Sequence, residues 1–130
     1  VSHFTELKTQ IKDIDTLKST LQSLELEFEY EPEGCEVRGF YGDTIKAILK
    51  IHTGTEYDVG MRANQDGSYD FIADWEMLKN KGFDSEAFTG RILQRYSYSS
   101  IRKTLEHQGY EFEEESVDEH GNIQLVVSQW

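Results

Sequence analysis

The chain has 130 residues, with 25 acids against 13 bases, a formal charge of −12, one cysteine and one proline. That length predicts a single α+β domain spanning residues 1–130, large enough for a core of its own, and the charge disfavours binding to nucleic-acid phosphates or anionic membrane surfaces. The lone Cys35 excludes an internal disulfide and a cysteine-rich zinc site, which fits a reducing compartment; no apolar run approaches the ~18 residues of a membrane helix, and the N-terminus lacks the pattern of a signal peptide.

Residues 4–11 alternate loosely, with Leu7 and Ile11 on one face, and predict an edge strand. Asp13 or Asp15 is placed to cap a helix, because a short carboxylate accepts from the free amides of a first turn. Ile14, Leu17, Leu21 and Leu24 then fall on one helical face. Leu24, Leu26, Phe28 and Tyr30 alternate with Glu25, Glu27, Glu29 and Glu31, the pattern of a strand with one buried and one solvated face. Pro32-Glu33-Gly34 turns the chain into a second strand at 37–41.

A meander follows. Ile45, Ala47, Leu49 and Ile51, then Tyr57, Val59 and Met61, then Tyr69, Phe71 and Ala73 mark three alternating runs joined by short polar turns. That arrangement implies antiparallel pairing. Residues 74–81 read as a connector with one helical turn. Asp84 caps the next helix, and Phe83 before it can staple onto Phe88. Phe88, Ile92 and Tyr96 continue at spacings of four. Ser97-Tyr98-Ser99-Ser100 is expected to interrupt that helix, since serine competes for backbone hydrogen bonds. A second helix is expected over 100–108, stopped by Gly109. Strands over 110–115 and 123–129 close the chain.

The end of the sequence echoes its beginning. Leu17-Lys18-Ser19-Thr20-Leu21 is matched by Ile101-Arg102-Lys103-Thr104-Leu105, and Leu26-Glu27-Phe28-Glu29 by Tyr110-Glu111-Phe112-Glu113. Either the two units share ancestry, with residues 94–98 matching the first strand and one sheet built about a pseudo-twofold axis, or two common amphipathic patterns coincide. Both readings give α+β: an antiparallel sheet of six to eight strands with two principal helices packed on one face.

Little in the sequence looks catalytic. His3, His52, His107 and His120 include no i, i+4 pair for a metal, and each suits an exposed or capping place. Glu33 and Glu36 should raise the pKa of Cys35, the opposite of what a nucleophilic thiolate needs. No serine sits in a nucleophile elbow and no glycine-rich phosphate loop is present. Asn64, Asp66, Ser68 and Asp70 imitate alternating calcium ligands, but the closing glutamate is missing, which favours a hairpin turn. No catalytic residue, metal or cofactor is therefore expected, and the chain reads as a non-enzyme.

The acidic rows, Glu25 to Glu31 and Glu111 to Glu115, are solvated strand faces or binders of a hard cation or basic partner. The bases are less evenly spread. Arg91, Arg95, Arg102 and Lys103 gather in the second helical region, interleaved with Tyr96 and Tyr98. Such interleaving binds anions or a partner, or else pairs a helix with acidic strands and buries its rings. Trp75 and Trp130 are further candidates, and Trp130 either caps the core or offers a docking tip. The candidate binding residues are therefore Arg91, Arg95, Tyr96, Tyr98, Arg102 and Trp130.

Five ordered motifs span the chain: Ser2-His3-Phe4-Thr5-Glu6-Leu7-Lys8-Thr9-Gln10-Ile11, Val37-Arg38-Gly39-Phe40-Tyr41-Gly42, Tyr57-Asp58-Val59-Gly60, Gln94-Arg95-Tyr96-Ser97-Tyr98 and Leu125-Val126-Val127-Ser128-Gln129-Trp130. On these the chain resembles the hypothetical chloroplast open reading frame thirty-five family of cyanobacteria and algal plastids, a domain of unknown function with no established catalytic residues. The resemblance implies a soluble protein of the cyanobacterial cytoplasm or plastid stroma. Charge, missing chemistry and resemblance together lead to a non-enzymatic protein-interaction or assembly factor of a photosynthetic cell, with a protein partner, no nucleic acid and no membrane insertion. The alternative is a small-molecule or anion-binding module built on the Arg/Tyr cluster.

Overall fold

The computed structural model describes residues 3–120 and 122–129. Seven strands and three helices run in the order β1 (Phe4–Ile11), α1 (Ile14–Ser23), β2 (Phe28–Arg38), β3 (Thr44–Ile51), β4 (Val59–Ala63), β5 (Tyr69–Asp74), α2 (Trp75–Asn80), α3 (Ser85–His107), β6 (Tyr110–Val117) and β7 (Ile123–Gln129). Strands β1 to β5 form one antiparallel sheet in the order β1-β5-β4-β3-β2, and β6 and β7 form a separate two-stranded ribbon.

The period-two pattern explains the main sheet. Leu49, Met61 and Phe71 lie opposite one another across β3, β4 and β5, and all three are buried with Val59, Ile51 and Ala73. Helix α1 lays Leu17 and Leu21 on this face, α2 adds Leu78, and α3 adds Ile92 and Tyr96. Burying one such aliphatic side chain contributes roughly 1.5–3 kcal/mol. Asp13 caps α1, accepting from the amides of Asp15 and Thr16 at 3.0 and 3.3 Å. Asp84 caps α3 through the Ala87 amide at 3.0 Å, and the rings of Phe83 and Phe88 meet at 5.0 Å, as the staple pattern predicts.

The sheet's second face is covered in part by the chain's own hairpin. Pairing of β2 with β3 shifts register between Tyr30 and Cys35, where Pro32 removes a ladder donor and Gly34 adopts a φ of 117°. Beyond the shift, Val37 and Ala47 are buried apart from the main cluster, beside Ile72. Gly60 makes room for them: a Cβ there would lie 2.7 Å from a Val37 methyl and 2.9 Å from Ala47.

Four expectations change. Pro32-Glu33-Gly34 does not separate two strands: β2 runs through it over Phe28–Arg38, and Phe40–Gly42 is a short 3-10 turn rather than the end of a strand. The alternation from Leu24 does not begin a strand. Leu24 is the C-cap of α1 and Glu25 takes a left-handed φ of 58°, while Leu26 donates back to the Leu21 carbonyl, so the first part of the run is a Schellman stop. Serines 97, 99 and 100 do not break the second helical region, and residues 94–98 are not a strand. α3 is continuous over 23 residues, because Tyr96 and Tyr98 anchor it on opposite sides and tertiary packing outweighs propensity. The two echoing units do not build one sheet. The second one's strands pair only with each other among the described residues.

Candidate functional site

Helix α3 places the Arg/Tyr cluster, and its geometry divides the cluster in two. Tyr96 and Tyr98 are two residues apart, so they leave the helix on nearly opposite sides. The buried Tyr96 hydroxyl accepts from the amides of Lys12 and Asp13 at 3.2 and 3.1 Å, which ties α3 to the joint between β1 and α1. Lys103 adds an ion pair to Asp13 at 3.2 Å on the same side. Tyr96 is therefore a buried anchor.

Tyr98, Arg95 and Arg102 share the other side, facing the ribbon. The Tyr98 hydroxyl donates to the Glu115 carboxylate at 2.6 Å and accepts from Arg102 at 2.9 Å. Arg102 also reaches Glu106 at 3.2 Å and Glu115 at 3.4 Å. Its guanidinium lies 4.4 Å from the Phe112 ring centre, and that of Arg95 lies 4.7 Å from the Tyr98 ring. The Tyr98 hydroxyl, then Glu106, hold Arg102 above the usual guanidinium range. Together these groups clamp the ribbon to the helix. Arg91 is exposed one turn further toward the N-terminus of α3, and Trp130 lies outside the described residues.

Beside the clamp an open cleft of about 540 Å3 lies between the end of α3 and the start of β6, lined by Arg102, Glu106, Tyr110, Glu111, Phe112 and Glu113. That lining joins two aromatic residues and three acidic ones to one arginine whose guanidinium is already paired. Glu106, Tyr110 and Phe112 lie outside the set that the sequence marks as candidates. The i, i+4 spacing of Arg102 and Glu106 is the one signal it carries for them, but only the fold shows β6 turning back beside it.

The remaining candidates serve the fold. Trp75 donates from its indole nitrogen to the Thr5 carbonyl at 2.8 Å. His52 is wedged between Glu29 and Asp58, each at 3.2 Å. The Cys35 thiol is pushed up by burial first, with Glu29 and Glu31 adding and Lys50 opposing, so the acids responsible are not its sequence neighbours. Glu25, Glu27, Glu29 and Glu31 are all exposed. Among the described residues no three His, Cys, Asp or Glu side chains are arranged to hold a metal ion, and no helix is long and apolar enough to cross a membrane.

Fold and cleft thus define an acidic α+β protein with an open recess, lined mostly by acidic and aromatic residues, between its long helix and a two-stranded ribbon. The chain belongs to the family described as "Protein of unknown function (DUF1257)", whose profile matches residues 20–126. It is 32% identical over 130 residues to "Uncharacterized protein ycf35" of Guillardia theta, covering all of this chain and 98% of that one. It is 29% identical to the protein of the same name from Cyanophora paradoxa and 27% identical to that from Pyropia yezoensis, with the same coverage. These relatives are encoded in algal plastid genomes. No solved structure matches the chain.

Proposed function

We propose that this chain is a non-enzymatic protein-interaction or assembly factor of a plastid stroma or a cyanobacterial cytoplasm, and that the cleft between α3 and β6 receives basic side chains of its protein partner. The observation that carries this reading is the polarity of the cleft. Three acidic and two aromatic residues line it with one arginine, whose guanidinium Glu106 and Glu115 already neutralise. A lysine or arginine entering there meets carboxylates and ring faces, both favourable to a cation. From residue 104 onward the sequence has no lysine or arginine, while Glu106, Glu111, Glu113, Glu114, Glu115, Asp118 and Glu119 all lie there. The same geometry argues against the anion-binding alternative, because Arg102 is paired and Tyr96 points to the other side of the helix.

The test uses the purified chain as bait in a plastid or cyanobacterial extract, beside the double variant Glu111→Lys/Glu113→Lys. A basic protein recovered with the parent chain and lost with the variant is the expected result. Equal recovery by both baits overturns the cleft assignment. A turnover measured with the purified protein, or a rise in melting temperature with an anionic metabolite, overturns the reading as a whole.

A further inference from the structure

We propose that the free edge of β1 is a self-docking surface, on which a second copy of this chain adds its own β1 antiparallel about a twofold axis at Leu7 and joins two five-stranded sheets. β1 is the last strand of its sheet and pairs only with β5 among the described residues. Such an edge offers backbone donors and acceptors to another strand. The opposite edge is guarded against this. β2 carries Pro32, which cannot donate, and the like charges Glu29, Glu31, Glu33 and Glu36. β1 has no proline, and Leu7, at its centre, is 42% exposed.

The pattern Thr5-Glu6-Leu7-Lys8-Thr9 is its own complement when read antiparallel. A twofold axis at Leu7 sets Leu7 on Leu7, Thr5 on Thr9, and Glu6 on Lys8 twice. Glu6 and Lys8 share one face of the strand, and each already has a partner of opposite sign within its own chain. Glu6 accepts from Arg62 at 2.9 Å and Lys8 meets the buried Asp70 at 3.3 Å. Docking therefore lines up Arg62 and Glu6 of one copy with Lys8 and Asp70 of the other, a row of alternating charge. Opposite-charge pairs directly across strands stabilise the pairing, and a shift of register by one or two residues loses them. The pairing of β1 with β5 shifts between Leu7 and Ile11, where the Thr9 hydroxyl donates to the Tyr69 carbonyl. Next to the edge, α3 presents Leu93, Ile101 and Ser97 with Ile11 in a groove of about 360 Å3, which gives the contact apolar area beyond the two strands.

Sedimentation equilibrium of the purified full chain at about 100 µM tests this, since a small symmetric interface of this kind is expected to dissociate in the micromolar range. The expected mass is twice 15.1 kDa. Leu7→Glu should return the protein to a monomer with an unchanged circular-dichroism spectrum. Glu6→Lys should weaken dimerisation at least about tenfold, a change of ~1.4 kcal/mol, and adding Lys8→Glu to it should restore most of that loss. The double variant gains nothing within a chain, because Arg62 and Asp70 then face like charges, so recovery can come only from across the interface. A monomeric parent chain, a dimer indifferent to Leu7→Glu and Glu6→Lys, or a double variant no better than Glu6→Lys overturns the proposal. None of these outcomes bears on the cleft at the far side of α3, whose test stands by itself.

Discussion

Asp74 holds three parts of the chain with one carboxylate. Its side chain is 1% exposed. One oxygen accepts from the Met77 amide at 3.2 Å and caps α2, while the other accepts from the amides of Phe40 at 3.2 Å and His3 at 3.4 Å. The residue thus ties the tip of the β2–β3 hairpin and the residue just before β1 to the end of β5. Asp74→Ala leaves buried amides without an acceptor and removes a cap, and should cost on the order of 2–4 kcal/mol. Asp74→Asn keeps one acceptor but turns an amide donor toward other donors, so it should rescue only part of that loss. Thermal melts of the two variants beside the parent chain read both effects. In the sequence Asp74 is only the last polar letter of an alternating strand, and its role depends on a hairpin tip 34 residues away.

At the scale of elements, α1 and α3 depend on different polar supports. The Asp13 carboxyl is held below the usual carboxylate range, chiefly by the Thr16 hydroxyl; burial opposes this, and the Thr16 amide and Lys103 add to it. A depressed folded-state value means that this support is complete above the unfolded pKa of about 4 and is lost as pH falls through the lower folded value. The acid limb of a stability-against-pH profile should therefore be shallower in Asp13→Asn than in the parent chain, while the two curves run parallel above about pH 5. On α3, the Tyr98 hydroxyl joins Arg102 to Glu115. A two-stranded ribbon is marginal without support. Tyr98→Phe should raise amide exchange in β6 and β7 by about tenfold, the worth of roughly one hydrogen bond, and leave β3 to β5 unchanged. Uniform change across both sheets would show that the ribbon does not open by itself. The cap of α1 is legible from Asp13 and the apolar spacing after it. The clamp is not, because tyrosine beside arginine is as consistent with an anion site as with a strand docked against the helix.

Over the whole molecule the net charge of −12 acts against the folded state, since folding concentrates like charges. Ion pairs such as Lys50–Glu29 and Lys81–Glu56 answer part of it locally, but solvent screens exposed pairs of this kind and leaves them little weight. Raising sodium chloride to about 0.5 M, where the Debye length falls to roughly 4 Å, should therefore raise the melting temperature. A fall on adding salt would show that the attractive pairs outweigh the general repulsion. The excess is not uniform. It gathers in residues 19–37 and in residues 104–130 around the cleft, neither of which holds a lysine or arginine, while the free edge of β1 is balanced by Arg62 and Lys8. These two surfaces therefore favour different occupants.

Features that depend on neighbours along the chain are legible from the residues alone. Period-two alternation marked β1, β3, β4, β5 and the ribbon, spacings of three and four marked the helices, Asp13 and Asp84 marked two helix starts, and motifs over the full length marked the family. Tertiary structure alone decided what depends on packing between distant segments. It kept α3 whole through its serines because Tyr96 and Tyr98 are held from both sides. It made Glu25 a left-handed helix stop, and it separated the ribbon from the sheet although the two acidic strands read alike. It divided the Arg/Tyr cluster between an anchor and a clamp, because helical rotation sends residues two apart to opposite sides, and no spacing in the sequence says which side meets the core.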